Sequence, residues 1–216
     1  MLSLITRQGS LVTVLLRCVD FLALFYLLIV LWIPFFWLVI HPGIRFWRRL
    51  GNRAFWVALP VWWGFAVALI LSRNWLFAHR LQRDALTWSV GGVLFFVASW
   101  LEAQTRRALG FRRLVGLPEL HPEHRLSGVV HTGIYARLRH PRYLVYMLLV
   151  MSMALLTGAP AIFLLAILNV LLYQILAPLE ERELLDHYGL NYEAYRRSVP
   201  RFVPRLGRRP ETQNSP

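Results

Sequence analysis

Long runs of apolar residues constrain the fold of this chain more than any other feature. A helix needs about 20 mostly apolar residues to cross the hydrocarbon core of a bilayer. Residues 21–40 meet that length without one charged side chain, and further apolar runs occupy residues 54–71, 85–101, 143–157 and 159–179. With 57% hydrophobic residues, the chain is too apolar for an ordinary soluble domain. The sequence therefore predicts an all-α integral membrane protein with about five transmembrane helices.

The last two apolar runs are joined by a very short connection, from Thr157 to Pro160. So short a link predicts an antiparallel helical hairpin. Pro141 disfavours helix at the residue before it and suits the first position of a helix, so the fourth span is predicted to begin there. Because the fifth span returns to the face that the fourth one leaves, residues 180–183 should come back beside the segment before Pro141.

The distribution of arginine predicts the orientation in the membrane. All 24 basic residues are arginine, and 19 of them lie in residues 41–53, 102–142 and 180–216, which five spans place on one side. An excess of Lys and Arg marks the cytoplasmic face. We therefore expect the N-terminus outside, the C-terminus in the cytosol, and a bacterial inner membrane as the location. Nucleic acid is not an expected partner, because the arginines flank apolar runs as membrane anchors do.

Near the start of the chain, Arg17 and Asp20 interrupt the apolar residues, and their spacing allows them to pair on one helix face. Elsewhere, the single cysteine, Cys18, excludes an intrachain disulfide. A metal site is not expected either: His121, His124 and His131 lack a regular ligand spacing and have no cysteine nearby.

Charged residues on both sides of the predicted hairpin indicate a binding site. Arg139, His140 and Arg142 surround the predicted helix start at Pro141, where free backbone N–H groups favour a carboxylate or a phosphate. Glu180 and Glu181 return beside these basic residues, and packed helices lie about 8–10 Å apart. Opposite charges across that gap suit a zwitterion, with arginine on its carboxylate and glutamate on its cation.

At these residues the chain resembles the isoprenylcysteine carboxyl methyltransferases and the related phospholipid methyltransferases of membranes. Members of this family carry a Gly-x-Tyr-x-x-x-Arg-His-Pro-x-Tyr stretch, which here runs from Gly133 to Tyr143. After a helical hairpin, members have an acidic pair and a series of further motif positions. In this chain those are Glu180, Glu181, Leu184, Tyr188, Gly189, Tyr192, Tyr195, Val199 and Pro200. The resemblance covers roughly residues 125–205.

The resemblance implies S-adenosylmethionine as the methyl donor and a lipid-like or small hydrophobic methyl acceptor. It also implies a set of cofactor contacts at the matching positions: Ser127, Val129, Val130, Tyr135, His140, Pro141, Arg142, Tyr143 and Glu180. We assign Arg139 to the orientation of an acidic acceptor, and Glu181 to the cationic donor or to a proton from an amine. Members that act on prenylated cysteine have histidine about where Ser127 stands and arginine about where Leu176 stands, so the resemblance does not extend to that substrate.

These expectations divide the chain into three regions. Residues 1–101 should form three N-terminal transmembrane helices, residues 102–205 a methyltransferase-like region with the hairpin and a cytosolic cofactor-binding tail, and residues 206–216 a disordered end. Two other functions stay open. Membrane sterol and steroid reductases, which use NADPH, have a similar C-terminal tail, and a non-catalytic membrane subunit or small transporter would share the hydropathy.

Overall fold

The computed structural model describes residues 2–40, 42–51, 53–114 and 128–204, and those residues form helices and connecting turns without a strand. The prediction of an all-α membrane protein is confirmed. In chain order the helices are α1 (Leu2–Val30), α2 (Trp32–Ile40), α3 (Ile44–Leu50), α4 (Arg53–Leu71), α5 (Arg73–Leu76), α6 (Ala85–Leu114), a 3₁₀ turn (Gly133–Ala136), α7 (Pro141–Thr157), α8 (Pro160–Tyr188) and α9 (Leu190–Ser198).

Three stretches of the described chain are long and apolar enough to cross a membrane: Val12–Val39, Ala85–Leu109 and Pro160–Tyr188. Two shorter apolar helical stretches, Leu59–Leu71 and Pro141–Thr157, accompany them. Together these stretches overlap the five apolar runs of the sequence. Association with the bilayer follows from their length and composition, and the count of five complete spans stays a prediction.

The first apolar run is interrupted between α1 and α2. Helix α1 ends at Val30, and α2 begins two residues later with Pro34 in its first turn. Proline has no N–H to donate to the carbonyl four residues earlier, and its ring clashes with that carbonyl, which here belongs to Val30. The break is therefore located where Pro34 removes a helical hydrogen bond.

Helix α7 is the centre of the bundle and packs against α1, α6 and α8. Its residues Val145, Val150 and Ala154 are completely buried. Helix α8 has two different faces: residues such as Ala166 are buried against the bundle, whereas the opposite face carries exposed apolar residues, namely Leu164, Ile167, Leu168, Leu171 and Ile175. An exposed apolar face on a helix of this length is the face expected to contact lipid.

The extended segment between α5 and α6 ties the hairpin turn to α1. Arg80 makes a bidentate ion pair with Asp20, at 2.7 and 2.9 Å, and also donates to the carbonyl of Thr157 at 2.9 Å. The Leu81 N–H donates to the carbonyl of Gly158 at 2.8 Å. Asp20 thus pairs with Arg80 across the bundle rather than with Arg17 on its own helix, because the guanidinium of Arg80 can satisfy both carboxylate oxygens at once.

Helices α6 and α7 approach closely at Gly91. The hydroxyl of Ser152 donates to the Gly91 carbonyl at 2.7 Å. A Cβ atom at Gly91 would lie 2.9 Å from the side chain of Leu156, whereas a Cβ atom at Gly92 would meet nothing within 4 Å. Only the first of these adjacent glycines is required for the packing of the two helices.

We expect Gly91→Ala to lower the stability of the fold by about 1–3 kcal/mol, the cost typical of overpacking. Gly92→Ala is the matched control and should be neutral or slightly stabilising, since alanine is favoured over glycine within a helix. Thermal unfolding of both variants in detergent checks this. Equal unfolding temperatures for the two variants would contradict the assigned contact.

Candidate functional site

The candidate site lies where α7 begins, and the chain after α9 runs alongside that helix start. The backbone N–H of Arg139 donates to the carbonyl of Pro200 at 2.9 Å, and the N–H of His140 donates to the carbonyl of Arg201 at 3.1 Å. His140 caps the helix and Pro141 is its first residue, as predicted from the sequence. The tail is therefore joined by main-chain hydrogen bonds to the segment that carries the basic residues.

Glu181 is buried, with 3% of its surface exposed, and accepts hydrogen bonds from three cationic side chains. Its Oε1 atom receives Arg139 Nη2 at 3.0 Å, His140 Nε2 at 3.0 Å and Arg201 Nε at 3.0 Å. Arg201 Nη2 also reaches Oε2, at 2.8 Å. We call these four side chains the Glu181 ion cluster. Because a buried carboxylate needs partners for its charge, the cluster compensates the desolvation of Glu181.

Arg139 has a second set of partners at the C-terminal end of α9. Its Nη1 atom donates to the carbonyl of Arg196 at 2.7 Å and to that of Val199. The last carbonyls of a helix lack partners within the helix, and a cationic side chain there also interacts favourably with the helix dipole. One arginine thus holds together the start of α7, the acidic pair of α8 and the end of α9.

His140 lies between Glu180 and Glu181 of α8. Its Nδ1 atom is 3.3 Å from Glu180 Oε2, and its Nε2 atom is 3.0 Å from Glu181 Oε1. Burial alone lowers the pKa of His140, but the hydrogen bonds and charges of the two glutamates outweigh that effect and raise the pKa above the usual 6.5. With a carboxylate at each ring nitrogen, the imidazolium form, which donates from both nitrogens, is favoured.

Aromatic rings continue the site from His140 into the bundle. The ring of Tyr143 stacks on His140, with centroids 5.1 Å apart, and lies 4.6 Å from the ring of Tyr173. Glu180 lies close enough to the Tyr143 side chain to interact with it electrostatically. On the other side, the Tyr195 hydroxyl donates to the backbone carbonyl of Tyr135 at 2.8 Å. These contacts connect both halves of the sequence motif through neighbouring side chains.

The structure brings together most of the residues that the sequence singled out. Those in mutual contact are Arg139, His140, Tyr143, Glu180 and Glu181. Arg142 does not join the Glu181 ion cluster and instead donates to the Tyr146 hydroxyl at 2.7 Å. Val129 and Val130 are half-buried in the segment before the 3₁₀ turn, and Pro141 is buried. Ser127 lies outside the described residues, as do His121 and His124.

Sequence reasoning did not find Arg201, which makes two hydrogen bonds to Glu181. The position of Arg201 could have marked it as a site residue, since it directly follows the Val-Pro pair of the tail motif. In a chain with 24 arginines, however, the type of residue alone does not mark this one. Among the described residues, no group of three or more His, Cys, Asp or Glu residues is arranged to hold a metal ion.

Comparison with known proteins gives one family match, one curated relative and no solved structure. The sequence profile of the phospholipid methyltransferase family matches residues 86–191, which run from α6 into α9. The resemblance seen in the motifs is thereby confirmed.

A curated relative is methanethiol S-methyltransferase 2 of Bradyrhizobium diazoefficiens. It is 35% identical over 85 residues, which are 38% of this chain and 32% of the relative. The match thus spans about a third of the length of that protein. No solved structure matches the chain.

Removal of the charge of Glu181 should loosen the tail. In Glu181→Gln, Arg139, His140 and Arg201 lose their shared counter-charge, and we expect a loss of about 3 kcal/mol or more, as for other broken buried ion pairs. Thermal unfolding and the rate of trypsin cleavage at Arg196 and Arg197 both report the change. Asp186→Asn, at an exposed position of the same helix, is the control, and unchanged cleavage in Glu181→Gln would contradict the role of the cluster.

The raised pKa of His140 predicts a pH dependence of stability. A group whose pKa is higher in the folded state contributes stability fully below its unfolded pKa, about 6.5. That contribution declines as the pH rises through the folded pKa. The difference in unfolding temperature between the wild type and His140→Gln should therefore be largest below about pH 6.5 and shrink in alkaline buffer.

His131→Gln, at an exposed histidine outside the Glu181 ion cluster, serves as the control for the replacement of an imidazole by an amide. A stability difference for His140→Gln that grows with pH would overturn the assignment.

Proposed function

We propose that the chain is an integral membrane methyltransferase that uses S-adenosylmethionine and acts on a lipid-like or small hydrophobic acceptor. The observation that carries the proposal is the return of the acidic pair of α8 to the His140–Pro141 helix start, within the segment that matches the family. We place this site on the cytosolic face, with the N-terminus outside and residues 102–205 as the catalytic region.

The chemistry of the site fits the proposed donor. S-adenosylmethionine carries a carboxylate, an ammonium group and a sulfonium, and when bound it supplies a methyl group to a nucleophile. Glu180 is the more accessible carboxylate, since 31% of its side chain is exposed against 4% for Glu181. Glu180 is therefore suited to face a cationic ligand. Pro141, Arg142 and Tyr143 form the first turn of α7, Tyr135 lies in the preceding 3₁₀ turn, and Val129 and Val130 come before that turn. We propose these residues as further contacts of the donor.

The roles of Glu181 and Arg139 proposed from the structure differ from the assignment made on the sequence, which gave Glu181 the cationic donor or the proton of an amine and Arg139 the orientation of an acidic acceptor. Both side chains are engaged in bonds within the fold, so we propose different roles for the two adjacent glutamates. Glu181 holds Arg139, His140 and Arg201 in place, so it acts on the site by positioning the helix start and the tail. Arg139 contributes in the same way through its bonds to the end of α9. Glu180, beside solvent, is the side chain placed to take the proton that a thiol, alcohol or amine acceptor loses on methylation. The acceptor's new bond to carbon forms as the sulfonium–carbon bond breaks.

Positioning supplies much of the rate in such a transfer, because a well-oriented pair of reactants has already lost most of the entropy of encounter. The name of the relative from Bradyrhizobium diazoefficiens contains methanethiol, which is a small apolar thiol. It belongs to the same class of acceptors as proposed here.

Ligand-induced stabilisation separates this function from that of an NADPH-dependent reductase. A ligand that binds the folded state raises its unfolding temperature. We expect S-adenosylhomocysteine to raise the unfolding temperature of the purified protein and NADPH to leave it unchanged. A shift with NADPH alone would favour the reductase, and no shift with either ligand would favour a non-catalytic subunit or transporter.

Transfer of labelled methyl from S-adenosylmethionine into a total lipid extract and into methanethiol tests the activity. We expect Glu180→Gln to lower kcat/KM at least about tenfold, the effect of weakening one charged contact. Asp186→Asn on the same helix should leave it unchanged. Full activity of Glu180→Gln would remove Glu180 from the site.

A further inference from the structure

Two polar side chains are buried inside α8 without partners. Asn169 and Tyr173 are both completely shielded from solvent. Among the described residues, neither the Nδ2 nor the Oδ1 atom of Asn169 has a hydrogen-bond partner, and neither does the hydroxyl of Tyr173. A buried polar group without a partner costs about 1–3 kcal/mol, so native folds rarely retain such groups unless a ligand, a water molecule or a function accounts for them.

The two side chains lie on one face of the helix. Asn169 and Tyr173 are four residues apart, so they are neighbours about 6 Å apart along the axis of α8. The buried residues of α8 from Ile162 to Ala177 include no charged side chain. This face therefore presents an amide, which both donates and accepts, and a phenol in apolar surroundings.

Tyr173 also borders the candidate site. Its ring lies 4.6 Å from the ring of Tyr143, which stacks on His140, and 5.9 Å from the ring of Tyr146. Glu180 follows Tyr173 by seven residues, or about 10 Å along the helix. The unpartnered groups are thus continuous with the proposed methyl-donor region, on its membrane side.

We propose that Asn169 and Tyr173 form the subsite for the methyl acceptor, and that this acceptor is a small uncharged molecule with a thiol or hydroxyl group. This rests on the proposed methyltransferase function. A thiol or alcohol can accept from the Tyr173 hydroxyl and exchange hydrogen bonds with the Asn169 amide. Sulfur also makes favourable contacts with aromatic rings, such as those of Tyr143, Tyr146 and Tyr173. A phosphate or ammonium headgroup would be desolvated there without a counter-charge.

On this assignment the acceptor reaches the subsite between the helices from the bilayer. Because Glu180 lies about 10 Å along the helix from Tyr173, the S–H or O–H proton reaches its carboxylate by way of water rather than directly. The proton leaves as the new bond to the methyl carbon forms and the sulfonium–carbon bond of the donor breaks. Tyr173 stays a neutral hydrogen-bond donor throughout. Asn169 and Tyr173 are binding residues for the acceptor and have no role in holding the donor.

The test combines kinetics with stability in the full-length protein. Labelled methyl transfer is measured to methanethiol and to vesicles containing phosphatidylethanolamine, beside the affinity for S-adenosylhomocysteine. With methanethiol, we expect Asn169→Leu to raise KM about tenfold and Tyr173→Phe to lower kcat/KM about tenfold, near the upper limit for one neutral hydrogen bond. The affinity for S-adenosylhomocysteine should not change in either variant.

The stability readout separates a binding role from a structural one. Replacement of an unpartnered amide by an apolar side chain of similar size removes a desolvation cost, so Asn169→Leu should raise the unfolding temperature. Ser152→Ala removes a buried hydroxyl that is bonded to Gly91 and should lower it. Tyr26→Phe removes a hydroxyl from α1 and should leave the kinetics unchanged.

The results distinguish a failure of the proposed acceptor subsite from a failure of the proposed methyltransferase function. Methyl transfer to methanethiol with unchanged kinetics in both variants would overturn the subsite, as would transfer to phosphatidylethanolamine vesicles alone. A clear loss of stability in Asn169→Leu would also overturn it, since the amide would then be bonded within the fold, through a water molecule for example. If S-adenosylhomocysteine does not bind and no acceptor is methylated by the wild type, the proposed function itself fails.

Discussion

The arrangement of the candidate site depends on the burial of one carboxylate. Glu181 is 3% exposed and would be strongly disfavoured as a charged group there without cationic partners. Arg139, His140 and Arg201 supply them from two separate parts of the chain. Because removal of any partner leaves charge uncompensated at a buried position, the ion cluster fixes the position of the tail relative to α7 and α8 more strictly than apolar packing alone would.

The membrane determines how such a cluster can be assembled. Two helices joined by the short turn at Gly158 must lie side by side, so a residue near the end of α8 returns to the level at which α7 begins. The contact between Glu181 and His140 joins residues 41 positions apart, yet its geometry follows from helix length alone. Gly158 in this turn has a φ of 64°, the left-handed conformation that glycine adopts readily. The contacts of Arg80 and Leu81 hold the turn beside α1 and the extended segment that follows α5.

Local signals in the sequence were sufficient for the hairpin and for the start of α7. Pro141 stops helix before it and begins helix after it, and apolar runs of about 20 residues have few alternatives to membrane helices. The sequence did not predict which of the many arginines would pair with a given carboxylate. Asp20 lies three residues from Arg17 but pairs with Arg80, and Arg201 joins Glu181, because these choices depend on distances between helices that no local pattern records.

The same limit applies inside the bundle. Asn169 is a single polar residue within an apolar run, and only the packing of its neighbours shows that its buried amide has no hydrogen-bond partner among the described residues.

The adjacent positions of Glu180 and Glu181 explain how one short motif can serve both structure and chemistry. Successive residues of a helix point about 100° apart. When α8 packs so that Glu181 faces the bundle, Glu180 must turn toward the rim, where 31% of its side chain is exposed. The cationic cluster neutralises the inner carboxylate, while the outer one keeps His140 and Tyr143 as its neighbours. A single glutamate could not do both, because the contacts that allow a carboxylate to be buried also occupy the oxygens that a ligand would need.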